Sequence, residues 1–168
     1  MIILGIDPGT TRIGWAILKT GRKKTMPVAY GCWDIKDIEQ EKRLLRISQN
    51  INKAIKTYKP DFLAIERIFF FKNAKTVMSI SEATGVILLM AQKNKLKYIR
   101  LTPLEIKQDL TGYGRADKKD VQKVIQSVFS LKEIPKPDDT ADALAIALAG
   151  INKINTKDKK QESNEKKL

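Results

Sequence analysis

Ile2-Ile3-Leu4-Gly5-Ile6-Asp7-Pro8-Gly9-Thr10-Thr11 is a short apolar run that ends on an acid and a turn. Such a run, stopped by Pro-Gly, reads as a buried strand breaking into a tight loop. The acid at its end carries chemical weight, because an ionised carboxylate beside a core is costly unless a cation or a hydrogen-bond donor meets it. The pattern recurs at Phe62-Leu63-Ala64-Ile65, which is closed by Glu66. If these two strands are neighbours in one sheet, both carboxylates reach the same rim.

Around them the chain parses into alternating elements. Ile13 to Leu18 and Val28 to Ile35 read as a second and third strand, joined through a hairpin loop at Gly21-Arg22-Lys23-Lys24. Leu44, Ile47, Ile51, Ala54, Ile55 and Tyr58 recur at helical steps, and that helix stops before Lys59-Pro60. Asn73 to Gln92 reads as a helix with Val77, Ile80, Thr84, Ile87 and Ala91 along one stripe. Tyr98 to Leu101 reads as a strand, and Pro103 and Asp117 open two shorter helices separated by Gly112-Tyr113-Gly114. Asp138 to Gly150 is a last, alanine-rich helix. The order βββ-α-β-α-β-α-α-α predicts an α/β domain with a mixed sheet covered by helices.

The 168 residues carry 32 Lys and Arg against 19 Asp and Glu, a formal charge of +13. One domain over 1–152 is expected, followed by a polar, basic tail over 153–168 that buries too little to offset its ordering entropy and is expected to be mobile. A body this basic points to a polyanionic partner, since clustered Lys and Arg displace condensed counterions from a phosphate backbone. Cys32 is the only cysteine and histidine is absent. An intrachain disulfide, a Cys/His zinc site, a Ser-His-Asp triad and a histidine base are therefore excluded. No apolar run approaches the roughly 20 residues of a membrane helix, and the start lacks a signal peptide's basic region, so a soluble cytoplasmic protein with no membrane partner is expected.

The last helix adds Asp138, Asp139 and Asp142, set against Ala141, Leu144, Ala145 and Leu148. Residues 139 and 142 are three apart and residues 138 and 142 four apart, so periodicity leaves both pairs open. Converging carboxylates repel unless divalent cations sit among them, and oxygen-only ligands select Mg²⁺ or Mn²⁺. Two such ions about 4 Å apart activate a water and stabilise the leaving oxygen of a phosphodiester. Each acid also has a plainer reading: Asp7 as a turn-former, Glu66 as an ion-pair partner of Arg67 or Lys72, and Asp138 or Asp139 as a helix cap.

Gly5-Ile6-Asp7-Pro8-Gly9, then Ala64-Ile65-Glu66 with Phe69 and Lys72-Asn73, then Asp139-Thr140-Ala141-Asp142-Ala143-Leu144-Ala145-Ile146-Ala147 resemble, in order and spacing, the RuvC family of Holliday-junction resolvases. The resemblance spans residues 1 to about 150. It implies a ribonuclease H-like fold, with a five-stranded mixed sheet of three antiparallel N-terminal strands plus two parallel ones, flanked by helices. It also implies a homodimer and Mg²⁺-dependent paired nicking of four-way DNA junctions in recombination and repair. Two Mg²⁺ per site are expected, with Mn²⁺ substituting. The resemblance implies that Asp7, Glu66, Asp139 and Asp142 are the metal-binding catalytic carboxylates; registration through the DALAIA stretch is what assigns Asp139 as ligand and leaves Asp138 as the cap. A branch-migration complex is a candidate partner.

The family also places lysines where Lys107 and Lys118 stand, and an aromatic that opens the junction where Phe69 stands. The residues agree: 93–123 hold nine Lys and Arg against four acids, among them Lys107, Arg115, Lys118 and Lys119, which are read as DNA contacts. Three consecutive aromatics at Phe69-Phe70-Phe71 cannot all point inward, and an exposed one stacks on an unpaired base. Arg12, in the turn after Asp7, is read as a phosphate contact. Two other functions stay open: another ribonuclease H-like nuclease, such as one that processes ribosomal RNA precursors, and a catalytically silent junction-binding protein.

Overall fold

The computed structural model describes the chain apart from residues 22–23, 37–38, 68–73 and 166–168, and gives the backbone course alone for 74–75 and 157–165. The strands are β1 (Ile2–Asp7), β2 (Arg12–Thr20), β3 (Thr25–Asp34), β4 (Phe62–Glu66) and β5 (Lys97–Leu101). The helices are α1 (Gln40–Tyr58), α2 (Ala74–Lys93), α3 (Pro103–Thr111), α4 (Lys118–Val128) and α5 (Asp138–Glu165). Their order is the one the sequence pattern predicts.

The strands form one sheet in the order β3-β2-β1-β4-β5. β1 to β3 form an antiparallel meander, while β4 joins β1 in parallel and β5 joins β4 in parallel. β1 and β4 are central and buried on both faces, which explains why they read as unbroken apolar runs. β3 is an edge strand, and its alternation leaves Met26, Val28 and Tyr30 exposed.

α1 and α2 cover one face over Leu4, Ile6, Ile17, Leu63 and Ile65. α5 crosses the other face over Ile3, Ala16, Leu18 and Ala64, with α3 and α4 packed outside it. Alanines let α5 approach closely. A methyl group on Gly5 would lie 2.5 Å from the Ala143 carbonyl oxygen and 2.6 Å from the Ala147 methyl, so only glycine fits beneath the helix there.

Several boundaries move. β3 starts at Thr25 rather than Val28. α5 does not stop at Gly150 but runs to Glu165, through the stretch assigned to a mobile tail. Ile151 and Ile154 are buried and extend the core contact past the glycine, a packing that the polar composition beyond Ile154 conceals. The tip of the expected hairpin loop, Arg22-Lys23, lies outside the described residues. Among the described residues no helix is long and apolar enough to cross a membrane.

Candidate active site

Strand register brings the first two acids together. Gly5 pairs with Ala64 and Ile6 with Ile65, so the next rung sets Asp7 beside Glu66 at the ends of adjacent parallel strands, about 4.8 Å apart in strand spacing. Alternation turns both toward α5, since Ile3 and Ala64 point to that face. β2 completes the platform: Asp7 pairs with Gly14 across the antiparallel ladder, and Gly14 carries the first turn of α5. Asp139 and Asp142 are thereby lowered onto the same rim.

The electrostatics record the convergence. Burial drives the Asp7 carboxyl up to about 8, with repulsion from Asp142, Glu66 and Asp139 adding to it and Lys118 opposing. Glu66 is pushed up to about 7 by burial and by Asp142, against the pull of Lys107 and Lys118. Asp142 is raised as well, because burial outweighs the Lys118 hydrogen bond.

Lys118, the first residue of α4, answers part of the negative charge. Its Nζ lies 2.8 Å from an Asp142 oxygen and 3.3 Å from an Asp138 oxygen. Burial alone would lower the Lys118 pKa, and the two carboxylates reverse that and raise it. The position is fixed by the turn before it: Asp117 accepts from the Asp120 backbone N–H and Asp120 accepts from the Asp117 N–H, a reciprocal cap that starts α4 at Lys118. A groove of about 260 Å³ runs from Glu66 and Asp142 past Lys107 and Lys118, floored by Ile106, Val121 and Ile146. That apolar floor escapes sequence reasoning, because its residues have ordinary core spacing.

Asp138 and Asp139 separate here. Asp139 is mostly buried, and its Oδ2 has no hydrogen bond, only an ion pair with Arg12 Nε at 3.4 Å. Asp138 is largely exposed and turns to Lys118. It is the first helical residue of α5 rather than a cap ahead of it, because the helix begins one residue earlier than the cap assignment requires. The donor set suits a hard divalent ion: carboxylates only, three of them raised by burial and by their acidic neighbours, and one buried oxygen that accepts no hydrogen bond. Among the described residues no three of these groups close on one point as they stand, and Lys118 Nζ holds the position of a cation beside Asp142.

Other expected contacts scatter around this centre. Lys107 lines the groove directly. Arg12 is tied to Asp139. Arg115 lies exposed in the loop between α3 and α4, and Lys119 is exposed on the first turn of α4. Phe69, with Phe70, Phe71, Lys72 and Asn73, lies outside the described residues.

A 3-2-1-4-5 mixed sheet whose central strands deliver acids to a helix carrying two more is the architecture of a ribonuclease H-like nuclease. A family model for the crossover junction endodeoxyribonuclease RuvC matches residues 3–150, and the chain belongs to that family. It is 46% identical over 158 residues to the RuvC of Fusobacterium nucleatum, spanning 94% of this chain and 83% of the relative. It is 45% identical over 153 residues to that of Petrotoga mobilis, spanning 90% and 94%. Thermus thermophilus RuvC, solved in complex with a Holliday junction substrate, superposes with a TM-score of 0.85 at 29% identity, covering 93% of this chain and 97% of that one. The yeast mitochondrial resolvase Ydc2 shares the fold, with a TM-score of 0.65 over 88% of this chain and 77% of that one at 14% identity.

Proposed function

We propose that this chain is a structure-selective endonuclease that resolves four-way DNA junctions by paired, symmetric phosphodiester hydrolysis during recombination and repair in the cytoplasm. The convergence of Asp7, Glu66, Asp139 and Asp142 beside a basic groove carries the reading. These four would hold two divalent ions, Mg²⁺ with Mn²⁺ substituting. Bound there, the ions supply an activated water and charge neutralisation at the leaving oxygen.

The protein's own groups do the positioning. Asp7 and Glu66 approach from the sheet rim and Asp139 and Asp142 from α5, on two rigid elements locked by close packing. Lys107 and Lys118 face the space where a phosphate would lie and neutralise its charge. Arg12, Arg115 and Lys119 hold the flanking backbone, and Phe69 stacks on a base at the crossover. A homodimer sets one such site on each of two strands of like polarity. The outward face of α2, with Met78 and Leu89 exposed around Gly85, is the surface offered for it.

The test is incubation of the full chain with a synthetic immobile four-way junction and Mg²⁺. Paired nicks in the junction, with a linear duplex left intact, are expected. Equal cutting of duplex or RNA would favour the alternative nuclease, and tight binding without cutting would favour a silent binder.

A further inference from the structure

A second cleft opens on the opposite side of Glu66, under α2, and none of the groups described above explains it. It has a volume of about 360 Å³ and is lined by Glu66, Arg67, Arg100, Ser81, Thr84 and Gly85, with Leu88 behind. Strand alternation makes it. Glu66 points to α5, so Arg67 points to the α2 face, while Arg100 pairs with Ile65 and points the same way. The Arg67 backbone is held where the strand ends, its N–H donating to the Leu101 carbonyl at 2.7 Å.

Both guanidinium groups lack an acidic partner among the described residues. The Arg100 guanidinium rests 5.9 Å from the centre of the Tyr98 ring, and both arginines are exposed. The Thr84 hydroxyl is buried without a hydrogen bond. A methyl group on Gly85 would meet nothing within 4 Å, so the lip is open. Two unpaired forked cations, a hydroxyl seeking a partner and an open mouth match a phosphate, which arginine binds in bidentate fashion and hydroxyl groups complete.

The cleft and the catalytic groove share Glu66 as a wall. We infer that Arg67 and Arg100, with Ser81 and Thr84, form a backbone-phosphate subsite that holds the DNA strand where it continues past the scissile bond on the α2 side. This rests on the junction-resolvase reading and deepens it, because it assigns a second contact surface beyond the basic groove of Lys107 and Lys118. Gly85 belongs to both the cleft's lip and the Met78-Leu89 face offered for the dimer, whereas Thr84 lies about a third of a turn around α2 from that glycine, on the side of Arg67 and Arg100, and this is the part of the cleft that the subsite uses.

The experiment is the salt dependence of binding to a fluorescently labelled synthetic four-way junction in EDTA, between about 50 and 300 mM NaCl, the range over which phosphate binding responds most to salt. It compares the wild type, Arg67→Ala/Arg100→Ala, Arg67→Lys/Arg100→Lys, and Lys53→Ala/Lys56→Ala, which removes equal charge from α1. Each phosphate left without its cation lowers the slope of log affinity on log salt by about 0.9, so the double alanine variant is expected to lose up to about 2. The lysine variant keeps most of the slope, and the α1 variant keeps all of it. An unchanged slope in the double alanine variant, or an equal fall in the α1 control, overturns the assignment. So does a change in sedimentation coefficient with the slope unchanged, which would mark the cleft as an interface between copies. A wild type that neither selects nor cuts the junction sinks the parent reading as well; a wild type that does both, beside an unchanged slope in the variant, sinks the subsite alone.

Discussion

The carbonyl oxygen of Asp139 sits so close over Gly14 that a methyl group on that glycine would lie 1.8 Å from it. Gly14 is also the ladder partner of Asp7. One glycine thus fixes the height of the helix that carries two acids above the strand that carries a third. Gly14→Ala must push the first turn of α5 outward. Overpacking of this kind costs about 1–3 kcal/mol of stability, and junction cleavage is expected to fall by more than the folded fraction does. Thermal melts and cleavage rates on the same preparations check this. Gly21→Ala, whose added methyl would meet nothing closer than the Lys24 carbonyl oxygen at 4.0 Å, is the comparison and should change the melt little.

The raised carboxyls give the metal-free protein a particular pH dependence. Asp7 at about 8 and Glu66 at about 7 bind protons in the folded state that the unfolded chain, with ordinary carboxylate values, has released. Stability from these groups is full below about pH 4 and is lost as pH rises through about 7 and 8. In EDTA the melting temperature should therefore decline from about pH 5 to about pH 8.5, and Asp7→Asn should flatten the decline and melt higher at the alkaline end. Identical pH profiles for the two proteins would show that the carboxylates do not crowd one another. Adding Mg²⁺ should raise the wild-type melting temperature most at the alkaline end, where the carboxyls are free to bind it.

Lys118 holds Asp142 at 2.8 Å where a divalent ion would otherwise be drawn. Lys118→Met should therefore tighten Mn²⁺ binding measured by calorimetry, while single-turnover cleavage drops about 10- to 100-fold through loss of the positive charge at the phosphate. Weaker ion binding in the variant would show that the lysine supports the ligands rather than competing with the metal. Lys107→Ala should lower cleavage without the gain in ion affinity, because the cation held against Asp142 is Lys118.

Phe69→Ala should impair cutting of fully paired junctions and leave a junction with unpaired bases at its crossover nearly unaffected, since stacking on a base is worth about 1–3 kcal/mol. Cleavage rates on the two substrates check it. An equal loss on both would deny the stacking role.

Most of this architecture is legible in the sequence because central strands declare themselves. β1 and β4 are apolar runs with acids at the ends, and adjacency of the two strands is enough to make Asp7 and Glu66 neighbours. Composition also exposes the alanine face of α5. What stays hidden depends on approach distances. Neither the role of Gly14 nor the choice between Asp138 and Asp139 follows from periodicity, because both acids share a face with Asp142 and only the depth of α5 on the sheet buries one of them. The length of α5 is concealed because Ile151 and Ile154 are two apolar residues in a polar stretch. Proximity in sequence suggests Arg67 as a partner for Glu66, whereas alternation along β4 sends the two side chains to opposite faces.

Whether four distant carboxylates act as one ion-binding centre is tested most directly by titrating Mn²⁺ into the wild type and into Asp7→Asn, Glu66→Gln and Asp142→Asn, with junction cleavage and metal-free junction binding measured on the same preparations. The expected result is ion binding by the wild type that each substitution weakens, cleavage reduced by a factor of about 10² or more, and junction binding in EDTA that is retained or strengthened as repulsion of the phosphates falls. Ion binding and cleavage at wild-type levels in any of the three variants would contradict the account.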